Sequence, residues 1–168
     1  VPESQAAMQY WGQGFSPRGE KNRFVLPSDF RADVRTASAG QRILCLDKHP
    51  RLPAMVGFGT DRPRYFHLEM EEEKTRCKDD GELFSRELFM AQLSGFRRAN
   101  FDESGRFVLP SYLSEMIAVE GGLYFHGGGN YFTIWPPEVL FAMPAGWDTI
   151  KASCRAKMAE TTAKDRRK

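Results

Sequence analysis

The chain of 168 residues is poor in the residues that hold metals or crosslinks. Its three cysteines, Cys45, Cys77 and Cys154, are far apart and form no C-x-x-C, and His49, His67 and His126 are equally scattered. That spacing argues against a zinc site or a disulfide framework, so neither metal nor cofactor is expected. No run of about 18 apolar residues is present, which excludes a membrane-spanning helix. Val1-Pro2-Glu3-Ser4-Gln5 has neither a basic start nor an apolar stretch, so no secretory signal is visible and a cytoplasmic location is expected. G-x-S-x-G, H-E-x-x-H and D-[ST]-G are all missing, and no enzyme is expected. Net charge is also small, at +2. If the ligand is a polyanion, positive charge has to be gathered on one surface.

What the chain does have is a duplication. Arg23-Phe24-Val25-Leu26-Pro27 returns letter for letter as Arg106-Phe107-Val108-Leu109-Pro110, and a serine follows each copy (Ser28, Ser111). The offset, Arg23 to Arg106, is far beyond the periods of about 20–50 residues that mark solenoids and propellers. Two copies of one supersecondary unit are implied, not an array.

Around each copy the hydrophobic pattern repeats in order. Residues 1–17, with Tyr10, Trp11 and Phe15 as bulky anchors, read as a loosely held arm ending in a strand near Gln13-Gly14-Phe15. Arg23–Leu26 alternates as a half-buried strand should, and Pro27 ends it. Ser28 is placed to cap a short helix with Phe30 and Val34 on one side. Gln41–Leu46 and Leu52–Phe58 read as strands, with Asp47-Lys48-His49-Pro50 turning between them.

From Thr60 to Phe96 the pattern turns helical, with the acidic run Glu71-Glu72-Glu73 on a solvated face, a break at Asp79-Asp80-Gly81 and a second helix over Glu82–Leu93. The second copy then gives a strand at Arg106–Leu109 and a helix capped by Ser111 and stopped at Gly121-Gly122. A hairpin follows around Gly127-Gly128-Gly129-Asn130, and a last helix opens at Pro136-Pro137. Gly127–Asn130 lacks the Lys-Ser or Lys-Thr of a phosphate loop. Beyond Trp147 a Lys/Arg-rich tail is expected to fray.

The turn before the second copy has a mechanical reading. Asp102 is placed to close an Asx turn with the backbone two residues on, and Gly105 supplies positive φ without a Cβ clash. Arg106 then emerges at the first strand position. In the first copy Gly19 stands for the aspartate and Asn22 for the glycine; Asn tolerates the left-handed region best among the other residues, so a looser turn is expected. Two roles are open for the arginines: an ion pair across the turn, as between Arg106 and Asp102, or phosphate and base contact through the bidentate fork. Arg23 keeps its place where the aspartate is lost.

The paired G-R-[FL]-x-[LV]-P turns, each followed by a short helix and a hairpin, resemble the MraZ family of the AbrB/SpoVT-like superfamily. The likeness spans roughly residues 13–140, Phe132-Thr133-Ile134-Trp135 included. It implies a mixed, mainly β fold: two tandem AbrB-like swapped-hairpin units interlocked in one β-barrel, with added α-helices. The corresponding division is a first repeat at 10–58, a helical connector at 59–95, a second repeat at 96–140, and a C-terminal helix and basic tail at 141–168.

The resemblance also implies a sequence-specific, nucleoid-associated regulator at the promoter of the bacterial division and cell-wall gene cluster. Its partner would be double-stranded promoter DNA, and its assembly a ring-shaped homo-oligomer. Carried over by position, the motif arginines are Arg23 and Arg106, and the motif turn residues are Asp102 and Gly105, with Asn22 standing in the first copy. The departures at Gly19 and Asn22 set the two copies apart. Arg18, Lys21, Arg97 and Arg98 lie near the turns and are candidate phosphate contacts or ordinary surface charge. The alternative function is a protein–protein module, an antitoxin-like swapped-barrel partner without direct DNA readout.

Overall fold

The computed structural model describes residues 6–167. The first five residues, read above for a secretory signal, and Lys168 lie outside it. Eight strands and six α-helices follow one another: β1 (Gln13–Pro17), β2 (Arg23–Val25), α1 (Ser28–Ala37), β3 (Ile43–Lys48), β4 (Met55–Phe58), α2 (Phe66–Asp80), α3 (Arg86–Ser94), β5 (Arg97–Asn100), β6 (Arg106–Val108), α4 (Ser111–Met116), β7 (Gly122–Gly127), β8 (Phe132–Trp135), α5 (Pro137–Phe141) and α6 (Asp148–Arg166). Every ladder is antiparallel.

The two copies exchange strands. β1 pairs with β7 of the second copy, and β5 with β3 of the first. The six-stranded sheet therefore runs β1-β7-β8-β4-β3-β5, an order that reads the same backwards when the copies are exchanged. β2 and β6 stand apart as a two-stranded ribbon with Phe24 directly opposite Phe107. Both rings are buried, their centroids 6.3 Å apart. The main core gathers Phe30, Phe125, Phe132 and Ile134 with these rings, and Phe30 stacks on Phe132 at 4.5 Å.

A closed barrel is not formed by strand pairing. β1 and β5 end the six-stranded sheet, and the ribbon's connection to β1 is a side-chain bond, the Val25 N–H donating to Ser16 Oγ at 2.8 Å. The reason is local. Pro17 and Pro27 remove the donors a longer β1–β2 ladder would need, and Pro110 does the same after β6.

Several boundaries differ from the sequence reading. Ser28 and Ser111 are the first helical residues; Pro27 and Pro110 are the caps, and no cap side chain bonds the helix. α4 stops at Met116, with Ala118 at φ 55°, ahead of the glycines, and Gly122 belongs to β7. β3 continues through Asp47 and Lys48, and the turn comes later. Ser85 caps α3 through the Leu88 N–H, so that helix starts after Glu82. The arm is held: Tyr10 is 1% exposed, its N–H donating to Gly129 O at 2.7 Å and its hydroxyl accepting from the Gly59 N–H at 2.9 Å.

The largest departure is the tail. Instead of fraying beyond Trp147, the chain forms α6, whose Cys154 and Ile150 pack with Trp135, Tyr124 and Leu140 in a second core cluster. Lys151 is buried and caps this region by donating to the Met143 carbonyl, and Ser153 bonds Gln13 of β1 and Tyr124 of β7. Ile150, Cys154 and Met158, with Trp147 just before the helix, form the apolar contact by which an otherwise polar α6 docks.

Candidate nucleic-acid interface

The ribbon decides where the repeated arginines point. In β2 the middle residue, Phe24, turns inward, so Arg23 and Val25 turn outward; in β6 Phe107 turns inward and Arg106 and Val108 turn outward. Register places Arg23 opposite Val108 and Val25 opposite Arg106. The outer face is thus a checkerboard of two guanidinium groups and two isopropyl groups, with the arginines on a diagonal, where neighbours in such ladders are about 7–8 Å apart. Arg106 is 65% exposed and Arg23 is also exposed.

Each arginine leaves a turn built on the same main-chain bonds. The Asp102 N–H donates to Arg106 O at 3.1 Å, and the Gly19 N–H to Arg23 O at 2.8 Å. Gly105 has φ 85° and Asn22 has φ 60°, so both occupy the left-handed region the sequence requires there. The Gly105 carbonyl accepts from the Leu26 N–H at 2.7 Å, and the Asn22 carbonyl from the Leu109 N–H at 3.0 Å, so each turn is bonded to the other copy's strand end.

The side chains differ. Asp102 Oδ1 accepts the N–H groups of Ser104 (3.0 Å) and Arg106 (2.9 Å), and Oδ2 accepts Arg106 Nε–H at 2.8 Å. The Arg106 N–H, its guanidinium and the Ser104 N–H hold the Asp102 carboxyl below the usual carboxylate range. Among the described residues Arg23 has no ion-pair partner, because Gly19 offers no carboxylate. Asn22 Nδ2 instead ties the first turn to Leu109 O at 2.8 Å.

The remaining candidates separate. Lys21 is exposed beside Asn22, with φ 56°. Arg97 and Arg98 are exposed on β5, opposite Leu46 and Cys45 of β3. Arg18 is engaged: its Nη1 donates to the Val119 and Glu120 carbonyls at 3.1 and 3.3 Å. It fastens the first turn to the second copy, with at most part of its fork left for a ligand. Sequence reasoning missed Tyr112, over whose ring the Arg97 guanidinium lies at 5.5 Å, and Val108, 53% exposed opposite Arg23 at the end of the ribbon. No local pattern singles them out, since Val108 lies on β6 and Tyr112 on α4, and Arg97 meets Tyr112 only across the fold.

A second polar feature lies in the connector. Arg62 is buried, bonded through Nε and Nη2 to both oxygens of Glu69 (3.0 and 2.7 Å) and stacked on Phe58, Phe66 and Tyr131. It borders a cleft of about 320 Å³ between the turn after β3 and the helices α2 and α3. Most of the cleft's other charges are paired, Arg76 with Glu73, Asp80 and Glu82, and Arg51 with Glu73, while Lys48 Nζ donates to the His49 and Leu52 carbonyls. This is a tie between helix and sheet. Among the described residues no group of three or more His, Cys, Asp or Glu is placed to hold a metal, and no helix is long and apolar enough to cross a membrane.

No family model matches the chain. Two curated proteins do. A transcriptional regulator MraZ of Pseudomonas fluorescens (strain SBW25) is 24% identical over 143 residues, covering 85% of each chain. A transcriptional regulator MraZ of Hydrogenovibrio crunogenus (strain DSM 25203 / XCL-2) is 26% identical over 118 residues, 70% of this chain and 73% of the relative.

Proposed function

We propose, for a chain similar to the MraZ transcriptional regulators along most of its length, that it is a sequence-specific DNA-binding regulator acting at the promoter of the bacterial division and cell-wall gene cluster. In this reading the exchanged strands are the swapped hairpins of two AbrB-like repeats, at 10–58 and 96–140. The observation that carries the reading is the ribbon's outer face, where Arg23 and Arg106 stand on a diagonal in solvent over the buried Phe24–Phe107 pair. A two-stranded ribbon fits the major groove of B-DNA, and arginine is the side chain best matched to the O6/N7 edge of guanine. Each chain presents few contacts, so firm binding at a net charge of +2 calls for several copies acting together on repeated DNA boxes. A ring-shaped homo-oligomer in the cytoplasm, associated with the nucleoid, meets that need.

The test is a mobility shift with duplex DNA from upstream of the chain's own gene. Arg23→Ala and Arg106→Ala weaken the complex, and Lys74→Ala, an exposed change on α2, leaves it intact. Equal affinity of all three variants and the wild type overturns the proposal.

A further inference from the structure

The ribbon is nearly two-fold symmetric, but the surroundings of its two ends are not.

At the end where β2 starts, Asn22 bonds Leu109, and three residues later Tyr112, in the first turn of α4, lies beneath the guanidinium of Arg97. At the opposite end Gly105 bonds Leu26, and three residues later stands Asp29, whose carboxylate accepts the Gln13 N–H. The edge strands differ in the same sense: β5 begins Arg97-Arg98, and the matching positions of β1 are Gly14-Phe15. Charge follows. The Arg23 end carries Arg18, Lys21 and Arg23 on its turn and Arg97 over Tyr112, against Glu20 in the turn and Glu115 and Glu120 in and after α4. The other sets Arg31, Arg42 and Arg106 against Asp29, Asp102 and Glu103, with Arg106 bonded to Asp102 and Arg42 to Glu103.

We propose that duplex DNA leaves the ribbon over its Arg23 end, where Arg97, braced by the ring of Tyr112, takes a backbone phosphate, so that the two ends of the ribbon meet the duplex unequally. The proposal rests on the DNA-binding reading above and adds to it a polarity and a contact. Tyr112 is a positioning residue: its ring restricts Arg97 to one bearing by cation–π attraction and reduces the freedom lost when the phosphate is met. The neutral end has no net attraction for a polyanion: Arg106 and Arg42 already have carboxylates beside them, and Arg31 Nε donates to the Leu26 carbonyl.

Fluorescence anisotropy of the full chain on a labelled duplex from upstream of its own gene, at a series of NaCl concentrations, tests this. Arg97→Ala weakens binding to every sequence and makes the log K against log salt slope shallower by about one. Tyr112→Ala weakens binding by a smaller factor, Tyr112→Phe restores wild-type behaviour, and Tyr112→Ala adds nothing on top of Arg97→Ala. Asp29→Asn and Glu103→Gln, at the other end, leave slope and affinity unchanged. A wild-type slope for Arg97→Ala, or tighter and steeper binding by Asp29→Asn, overturns the polarity while leaving the DNA-binding reading in place. A wild type that binds none of these duplexes removes both.

Discussion

Asp102 receives both the backbone N–H and the Nε–H of Arg106, at 2.9 and 2.8 Å, so the second arginine is aimed and half neutralised before any ligand arrives. The first arginine is neither. The two copies of one pentapeptide therefore carry different chemistry, and the difference can be transplanted. Gly19 has φ −92°, open to any residue, and a Cβ there meets nothing closer than Arg23 O at 3.2 Å. Gly19→Asp is expected to fold, to pair with Arg23, and to weaken DNA binding with a shallower salt dependence. Anisotropy titration at two salt concentrations checks it.

Gly105 and Gly19 should respond in opposite ways to alanine. At Gly105 a Cβ would sit 2.4 Å from Arg31 Nε and 2.6 Å from Leu26 O, at φ 85°. Gly105→Ala is expected to cost about 2 kcal/mol or more, through strain and the lost Arg31 bond. Gly19→Ala is expected to stay within about 0.5 kcal/mol of wild type. Urea unfolding curves of the two variants decide this.

The turn after β3 gives the protein an acid limit. His49 Nδ1 accepts the N–H groups of Arg51 and Leu52, both at 3.0 Å, which leaves its proton on Nε2 facing Tyr131. Burial, with Lys48, Arg51 and Arg62 close by, pushes its pKa from 6.5 down to about 4. Between those values the unfolded chain takes up a proton that the folded chain refuses. Stability therefore falls as pH drops from 6.5, by on the order of 3 kcal/mol, and levels off below about 4. His49→Asn keeps an acceptor for the two N–H groups and is expected to flatten this part of the profile. Unfolding free energies measured from pH 7 to 4 for both proteins provide the comparison.

α6 is expected to be required for folding. Removing residues from Asp148 onward uncovers Trp135, Tyr124 and Leu140 and deletes the Ser153 bonds to Gln13 and Tyr124. A loss of at least about 3 kcal/mol is expected, the transfer cost of one or two large apolar side chains. A truncated chain that unfolds at the same urea concentration as the full chain would contradict it.

The repeated strands, the turns and their left-handed residues were legible because each is written locally: an alternation, a proline stop, a Gly or Asn where φ turns positive; β5, with only Ala99 buried, was not. Gly105 and Asn22 carry those angles, and the Asx bond of Asp102 to Ser104 forms as its spacing requires. Docking of α6 was not legible. Its few apolar residues acquire meaning only against Trp135 and Tyr124, which are distant in the chain. The brace between Tyr112 and Arg97 was hidden for the same reason, since the two meet only when β5 lies beside the start of α4. Ion pairing of Arg106 was open in the sequence, and the coordinates favour it without removing the exposed fork.

The reversible strand order has a consequence for how the protein can come apart. Each half lends a strand that the other half's sheet cannot do without, so neither is a finished object. A protease cut in the exposed stretch at Gly81-Glu82-Leu83 should yield two pieces that elute together, and two separately expressed halves should find each other and rebuild the whole.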